Sequence, residues 1–180
     1  MIISLIGFMG SGKTAVGKKL ADKLAFDFVD IDELIEDKTK MNIADIFEIK
    51  GETHFRKIES EVTAKIVHNN DNIVLSTGGG VVLSADNRKL LKSKTRTFLL
   101  KTSAEVIYER IKNDATERPL LNCDNPLEKI KKMLKSRAQY YNVFEPRINT
   151  DNKSINNIVE EITCILEEDK KRVENRSGRG

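Results

Sequence analysis

The sequence has few of the residues that build disulfide frameworks or zinc sites. It contains two cysteines, Cys123 and Cys164, and two histidines among 180 residues. The cysteines lie far apart and form no Cys-x-x-Cys pair, so neither a zinc site nor a disulfide framework is indicated. This cysteine usage fits a reducing compartment, and we expect a cytoplasmic protein.

Long apolar runs and a strong excess of one charge are also missing. No stretch approaches the roughly 18 apolar residues of a membrane span, and no basic leader precedes the first apolar run. The 31 basic and 28 acidic residues give a formal net charge of +3, too balanced to indicate nucleic-acid binding. We therefore expect no membrane or nucleic-acid partner, and a chain of this length favours one domain.

Short apolar runs alternate with longer amphipathic segments. The candidate strands are residues 2–6, 26–30, 72–77, 96–100 and a weaker 147–151. Near-continuous apolar runs such as IISLI are typical of parallel strands buried on both faces. With helices between them, the strands predict a doubly wound α/β domain over residues 1–166, built on a five-stranded parallel sheet. The highly charged residues 167–180 predict a fraying helix end and a disordered tail.

Two interruptions of the helical pattern are informative. Helical spacing over residues 39–50 stops at Gly51, a candidate C-cap, and resumes over residues 52–67. Residues 113–126 fit neither helical nor strand periodicity, are polar and contain two prolines. Because this segment is long for a connection, we predict a mobile lid over about residues 113–125.

The segment GFMGSGKT, residues 7–14, matches the phosphate-loop pattern G-x-x-x-x-G-K-[ST] between a predicted strand and a predicted helix. Its glycines allow backbone N–H groups to converge on phosphate oxygens, and the helix N-terminus adds its positive dipole end. Lys13 can reach the β- and γ-phosphates, and the Thr14 hydroxyl can ligate Mg²⁺. The predicted contacts to a nucleoside triphosphate come from Gly10, Ser11, Gly12, Lys13, Thr14 and Ala15.

The loop does not identify the acceptor, since GTPases, motor ATPases and several kinase classes share it. The chain has no base-reading N-K-x-D motif in the order that a GTPase requires. Its length leaves no obvious second domain, which favours a compact kinase.

Two aspartates, Asp30 and Asp32, stand at the end of the second predicted strand. Residues two apart on a strand point the same way, so the two carboxylates could serve a metal and a substrate hydroxyl. Alternatively, Asp30 caps the strand and Asp32 only begins the next helix. The residues alone leave both interpretations open.

Three consecutive glycines, Gly78, Gly79 and Gly80, follow the third predicted strand and are called here the glycine triplet. They permit close approach of backbone to a ligand, although a flexible connection is the alternative. Arg137 falls on the apolar stripe of the helix after Pro126. There its guanidinium must be paired or face a ligand, unless the helix has already left the core and the side chain reaches solvent.

Two further arginines are candidates for an anion site. Arg56 has Glu59 three residues on to orient it, although a surface salt bridge is the alternative. Arg118 lies in the predicted lid and could close over phosphates, or it could be a solvated loop charge. Arginines from separate segments suit bidentate capture of a planar anion, so we predict a small anionic acceptor that carries hydroxyl groups.

Over roughly residues 1–166 the chain resembles the shikimate kinase family. The resemblance rests on six features in order: GFMGSGKT, VDID, IADIF…GE..FR..E (residues 43–59), STGGG, RPLL (residues 118–121) and R..YY (residues 137–141). It implies a P-loop kinase with a nucleoside monophosphate kinase-like fold. The implied reaction is ATP-dependent phosphorylation of the 3-hydroxyl of shikimate, a step towards chorismate and the aromatic amino acids.

The same resemblance implies roles on the acceptor side. Asp32 would hold the ring hydroxyls and help to orient or deprotonate the attacking one. Arg56, positioned by Glu59, and Arg137 would bind the carboxylate. The glycine triplet would contact shikimate through its backbone, chiefly at Gly79, and two aromatic residues, Phe47 and Phe55, would wall the pocket.

On the donor side, the resemblance implies that Lys13 and Arg118 neutralise charge on the transferring phosphoryl group. Thr14 would bind Mg²⁺, with Asp30 reaching the ion through water. Arg110 falls where the family often packs a basic residue on adenine. Lys153 is the nearest candidate where the family often has another arginine. The expected partners are ATP and shikimate alone, bound by a monomer.

Two other functions remain open at this stage. A gluconate-type or nucleoside monophosphate kinase would share the loop and lid, but neither family has the VDID, FR, GGG and R..YY set. A regulatory module that binds ATP without turnover is the non-enzymatic alternative. The presence of Asp32 and Arg118 argues against that alternative.

Overall fold

The computed structural model describes residues 1–112, 119–121 and 123–177. Its strands are β1 (Ile2–Ile6), β2 (Asp27–Asp30), β3 (Ile73–Ser76), β4 (Arg96–Lys101) and β5 (Arg147–Asn149). They form one parallel sheet in the order β2-β3-β1-β4-β5. The predicted five-stranded parallel sheet is confirmed, and each strand boundary lies close to its predicted position.

Helices cover both faces of this sheet. Those in the described part of the chain are α1 (Lys13–Leu24), α2 (Ile31–Thr39), α3 (Ile43–Asn69), α4 (Ala85–Lys94), α5 (Ala104–Lys112), α6 (Pro126–Tyr141) and α7 (Ile155–Ser177). Short 3₁₀ turns occupy Val81–Leu83 and Pro119–Leu121. No helix in the described ranges combines the length and apolar content needed to cross a membrane.

Strand β1 explains why its sequence is apolar at nearly every position. Successive side chains point to opposite faces of a strand. Ile2 and Ile6 therefore join the core beneath α2 and α3, whereas Ile3 and Leu5 join the core beneath α1 and α7. A strand buried on both faces leaves no position for solvent-facing residues.

The position of β1 also sets the position of the site. β1 pairs with β3 on one side and β4 on the other, so the strand order reverses direction at this strand. Ligands of open α/β sheets bind in the crevice beyond the carboxyl ends of the strands at such a point. The segment GFMGSGKT begins directly after β1 and leads into α1.

Helix α3 differs in part from its predicted form. The predicted helix start at residue 39 is wrong, because Thr39 ends α2 and Asn42 caps α3 by accepting a hydrogen bond from the Asp45 N–H at 2.8 Å. The predicted interruption at Gly51 is correct, since this residue has φ 81° and ψ 164° inside α3. That region of backbone space is accessible almost only to glycine, so Gly51 divides α3 into two helical segments.

Helix α7 continues beyond the point where the sequence predicts disorder. Its last core residue is Leu166, yet the helix extends to Ser177, through part of the segment for which the sequence predicts a fraying helix end and a disordered tail. Arg96 of β4 holds this extension through an ion pair with Asp169 at 2.8 Å. An Arg172–Glu168 pair at helical spacing adds support.

The predicted lid lies largely outside the described residues, which include neither 113–118 nor 122. At its edge Leu121 is buried against a small apolar cluster that includes Phe8 and Ile107. Mobility of residues 113–125, and the domain boundary at residue 166, remain predictions.

Candidate active site

The phosphate loop has a backbone that requires its glycines. Gly10 has φ 74°, and Gly12, with φ 94°, is the N-cap of α1. A Cβ added at Gly10 would lie 2.8 Å from the Ile111 Cγ2, so both conformation and space exclude a side chain. The Lys13 ammonium donates to the carbonyl oxygens of Gly7 and Phe8, at 3.0 and 3.1 Å. The lysine therefore lies across the loop whose N–H groups would receive phosphate.

The two interpretations of VDID turn out to be compatible. Asp30 ends β2 and caps α2, because its Oδ1 accepts from the Asp32 N–H at 3.0 Å. Its Oδ2 accepts from the Thr14 hydroxyl at 2.9 Å. Asp32 lies in the first turn of α2, so the expectation that both residues share one strand face is wrong. Both carboxylates nevertheless reach the same cavity.

A cavity of about 670 Å³ joins the phosphate loop to α2, α3, α6 and the glycine triplet. Among its lining residues are these members of the predicted site: Gly10, Lys13, Thr14, Asp30, Asp32, Phe47, Phe55, Arg56, Glu59, Gly78, Gly79, Gly80 and Arg137. Segments far apart in sequence thus meet at one crevice.

Arg56 is fixed from both sides rather than exposed in a surface salt bridge. Its Nη1 donates to Glu59 Oε2 at 2.8 Å, and Glu59 is only 1% exposed. Its Nε and Nη2 donate to Glu52 at 3.2 and 3.1 Å. The guanidinium also lies 5.0 Å from the ring centroid of Phe55. Sequence reasoning missed Glu52, although its position four residues before Arg56 on one helix was an available signal.

Arg137 is buried and faces the glycine triplet. It is 7% exposed, and its Nη1 donates to the Gly79 carbonyl at 3.3 Å. The alternative in which this side chain reaches out to solvent is therefore wrong. Tyr141, one turn further along α6, donates to the same carbonyl at 2.7 Å. We assigned Tyr141 no role from the sequence, although it shares the apolar stripe of Arg137.

The glycine triplet leaves space for the side chains of the site. A Cβ at Gly78 would collide with Glu59 Oε1 and lie 3.0 Å from Asp32 Oδ1, and one at Gly80 would collide with the Arg56 guanidinium. A Cβ at Gly79 would lie 2.9 Å from the Met9 nitrogen. The triplet is therefore a constrained, packed segment, and the interpretation as a flexible connection is wrong.

The carboxylates of the site are electrostatically strained. Burial, reinforced by the negative charges of Asp30 and Glu59, raises the pKa of Asp32 to about 7, against the opposing effect of Lys13 and Arg56. Burial also raises the pKa of Glu59, although Arg56 opposes the shift. Within the described residues, Asp32 Oδ1 and Glu59 Oε1 are buried without a hydrogen-bond partner. Both oxygens approach Gly78, so they can accept hydrogen bonds from hydroxyl groups placed there.

The remaining candidates are those that the sequence predicts for the nucleotide side. Arg110 donates to the Gly10 carbonyl at 3.3 Å and to the Thr150 carbonyl at 3.1 Å, so its guanidinium lies beside the phosphate loop. Lys153 forms an ion pair with Glu161 on α7, and its contact with adenine remains a prediction. Arg118 falls outside the described residues.

Comparisons with known proteins agree with this geometry. The family model described as shikimate kinase matches residues 9–167. A shikimate kinase of Sulfurihydrogenibium sp. (strain YO3AOP1) is 48% identical over 160 residues, which cover 89% of this chain and 94% of that relative. The solved structure of shikimate kinase from Acinetobacter baumannii in complex with shikimate has a TM-score of 0.89 at 36% identity, and the match covers 94% of each chain.

A gluconokinase from Sinorhizobium meliloti 1021 has a TM-score of 0.59 at 16% identity, and the match covers 97% of this chain and 96% of that chain. This distant likeness shows a shared fold alone. The family match, by contrast, spans nearly the whole described domain, and the relatives are similar along most of their length. This chain belongs to the shikimate kinase family.

Proposed function

We propose that this protein transfers the γ-phosphoryl group of ATP to the 3-hydroxyl of shikimate. One observation carries the proposal: a single cavity connects the phosphate loop to two arginines and to the buried, unpartnered oxygens of Asp32 and Glu59. The two arginines, Asp32 and Glu59 form the acceptor half of this cavity. A carboxylate-bearing polyol matches this half in charge and in hydrogen bonding. The membership of this chain in the shikimate kinase family supports the same substrate.

On the acceptor side, Arg56 and Arg137 bind the carboxylate, and Asp32 accepts a hydrogen bond from the attacking hydroxyl. The hydroxyl oxygen forms a bond to the γ-phosphorus while the bond from that phosphorus to the β–γ bridging oxygen breaks, releasing ADP. The hydroxyl proton passes to Asp32, whose raised pKa of about 7 suits a general base near neutral pH. Glu59 holds the Arg56 guanidinium in place.

On the donor side, catalysis consists mainly of positioning and charge stabilisation. The N–H groups of the phosphate loop and the N-terminus of α1 hold the phosphates, and Lys13 moves from loop carbonyls to phosphate oxygens. The resemblance adds Arg118 as a cation that closes over the transferring group, and closure of the lid would exclude water.

The residues around Thr14 fit a magnesium ion. The Thr14 hydroxyl and the Asp30 carboxylate are hydrogen-bonded at the edge of the phosphate loop, and Mg²⁺ takes few protein ligands besides phosphates and water. In the described part of the chain no group of three or more His, Cys, Asp or Glu could hold a metal. We propose that Thr14 ligates the ion directly and that Asp30 contacts it through water. When bound with ATP, Mg²⁺ neutralises charge on the β- and γ-phosphates.

Asp30→Asn tests this magnesium assignment. The amide oxygen can still accept the Asp32 N–H, so the cap of α2 is retained while the negative charge is lost. We expect the Mg²⁺ concentration for half-maximal activity to rise by about tenfold, measured by titrating Mg²⁺ at fixed ATP. An unchanged Mg²⁺ requirement would show that Asp30 does not act on the ion.

We also propose that the protein is a cytoplasmic monomer. The exposed large apolar residues of the described chain are Met1, Ile49, Val143, Ile155 and Val173, of which Ile155 and Val173 share α7 and lie 18 positions apart on it. Few large apolar residues are exposed there, and single exposed apolar residues do not by themselves indicate an interface. Light scattering at micromolar concentration would reveal a dimer.

The proposed function is tested by coupled ADP release with Mg²⁺-ATP and a panel of shikimate, quinate, gluconate and nucleoside monophosphates. We expect shikimate to give the largest kcat/KM of the panel: the two arginines of the acceptor half suit any of the three monocarboxylates, and membership in the shikimate kinase family favours shikimate among them. Turnover of gluconate or a nucleotide without turnover of shikimate would overturn the proposal. ATP binding without any acceptor-dependent ADP release would favour the regulatory alternative.

A further inference from the structure

Two side chains of α6 donate to one backbone oxygen of the acceptor pocket. This pocket is the part of the cavity lined by Asp32, Arg56, Glu59, Arg137 and the glycine triplet. The Tyr141 hydroxyl lies 2.7 Å from the Gly79 carbonyl oxygen, and Arg137 Nη1 lies 3.3 Å from the same atom. The two residues are four apart, which places them one above the other on a helix face. The shorter contact belongs to the neutral hydroxyl and the longer one to the guanidinium.

Tyr141 is a permanent donor at this position. Its side chain is 7% exposed, so its geometry is fixed by the surrounding core. Burial raises the pKa of Tyr141 further above its ordinary value, although the neighbouring Arg137 opposes the shift. The hydroxyl therefore keeps its proton throughout the physiological range and can donate in every state of the enzyme.

We propose that Tyr141 is a positioning residue that satisfies the Gly79 carbonyl, so that Arg137 is released from this oxygen to bind the acceptor carboxylate. The inference deepens the proposed function and rests on it. It assigns to Tyr141 a role in acceptor affinity that depends on Arg137.

The physical reason for this role is that the Gly79 carbonyl and the acceptor carboxylate compete for the guanidinium of Arg137. Bidentate capture of a carboxylate uses two parallel N–H groups, and one donor of Arg137 is directed at Gly79. A buried carbonyl left without a partner is costly, so Arg137 would resist leaving if it were the only donor there. With the Tyr141 hydroxyl in place, the carbonyl keeps its shorter hydrogen bond when the guanidinium turns to the substrate.

Tyr141→Phe tests the inference because it removes the hydroxyl and keeps the ring. We expect the KM for shikimate to rise about tenfold, with kcat and the KM for ATP changed less than about twofold. Tyr140→Phe is the matched control, since its ring packs on the Arg88 guanidinium, 4.7 Å from Cζ, instead of on the acceptor pocket. That control should leave all three parameters near wild type.

A double variant separates positioning from a general effect on packing. In an Arg137→Ala background no guanidinium competes, so we expect Tyr141→Phe to lower kcat/KM for shikimate by less than about twofold. An equal loss in both backgrounds, or a normal KM in Tyr141→Phe, would overturn the inference. Unfolding of Tyr141→Phe would overturn it too, by assigning the hydroxyl to stability. If the wild-type protein does not phosphorylate shikimate, the proposed function fails first, and the same assay shows this.

Discussion

Asp32→Asn is expected to reduce kcat at least about a hundredfold, because the variant cannot accept the proton of the attacking hydroxyl. The KM for ATP should change little, since the phosphate loop does not depend on this carboxylate. The measurement is steady-state ADP release at saturating shikimate and Mg²⁺-ATP. Near-normal kcat would show that Asp32 neither orients nor deprotonates the acceptor.

The same substitution is expected to stabilise the folded protein. The pKa of Asp32 rises from its ordinary 3.8 to about 7 on folding, so the folded state binds its proton more tightly than the unfolded state does. The contribution of Asp32 to the free energy of unfolding therefore falls as pH rises from about 4 to about 7, and the asparagine variant lacks this decrease. We expect a gain on the order of 1–2 kcal/mol at pH 8, or roughly 2–8 °C in Tm.

Thermal melts at pH 4.5 and pH 8, in EDTA and without nucleotide, measure this gain. The difference between variant and wild type should be larger at pH 8. Asp37→Asn is the matched control, because it makes the same chemical change on α2 at a side chain that is 82% exposed. A lower Tm for Asp32→Asn at pH 8 would show that Lys13 and Arg56 stabilise the Asp32 charge more than burial penalises it.

Gly80→Ala is expected to lower kcat/KM for shikimate by about a hundredfold or more, while the protein remains folded. Gly80 has φ −114° and ψ 2°, which alanine can adopt, so the backbone is not the obstacle. The new methyl group would instead collide with the Arg56 guanidinium. Because the end of an arginine is flexible, Arg56 is displaced from the acceptor pocket and the fold is retained.

Arg56→Ala provides the comparison for Gly80→Ala. If the glycine acts by leaving space for the guanidinium, the double variant should be little worse than Arg56→Ala alone. Circular dichroism and the KM for ATP should remain near wild type in all three variants. Additive losses would mean that the methyl group damages the site by another route.

Much of the fold follows from local patterns. The apolar run of β1 predicts a strand buried on both faces, and Ile2 and Ile3 do pack into opposite cores. The phosphate loop is a continuous segment, so its chemistry can be inferred from the spacing of its glycine, lysine and threonine residues. The extension of α7 was not predictable, because its support comes from Arg96 on a different strand.

The acceptor half is different, because its members are distant in sequence. Spacing suggested Arg56 and Glu59 as a pair, yet only the packing of α3 shows that Glu59 is buried. The same holds for Tyr141 and Gly79, which are 62 positions apart along the chain. No periodicity of the sequence predicts a contact between residues so far apart.

By itself, the sequence determined the parallel sheet, the phosphate loop and the set of charged residues available to an acceptor, since these depend on short-range spacing and residue type. Only the tertiary structure decided which carboxylate oxygens are buried without partners and why Gly78 and Gly80 must be glycine. It also decided which donors share the Gly79 carbonyl. Desolvation and steric exclusion depend on what surrounds an atom in space, and the neighbours of these atoms come from α2, α3 and α6, which only folding brings together.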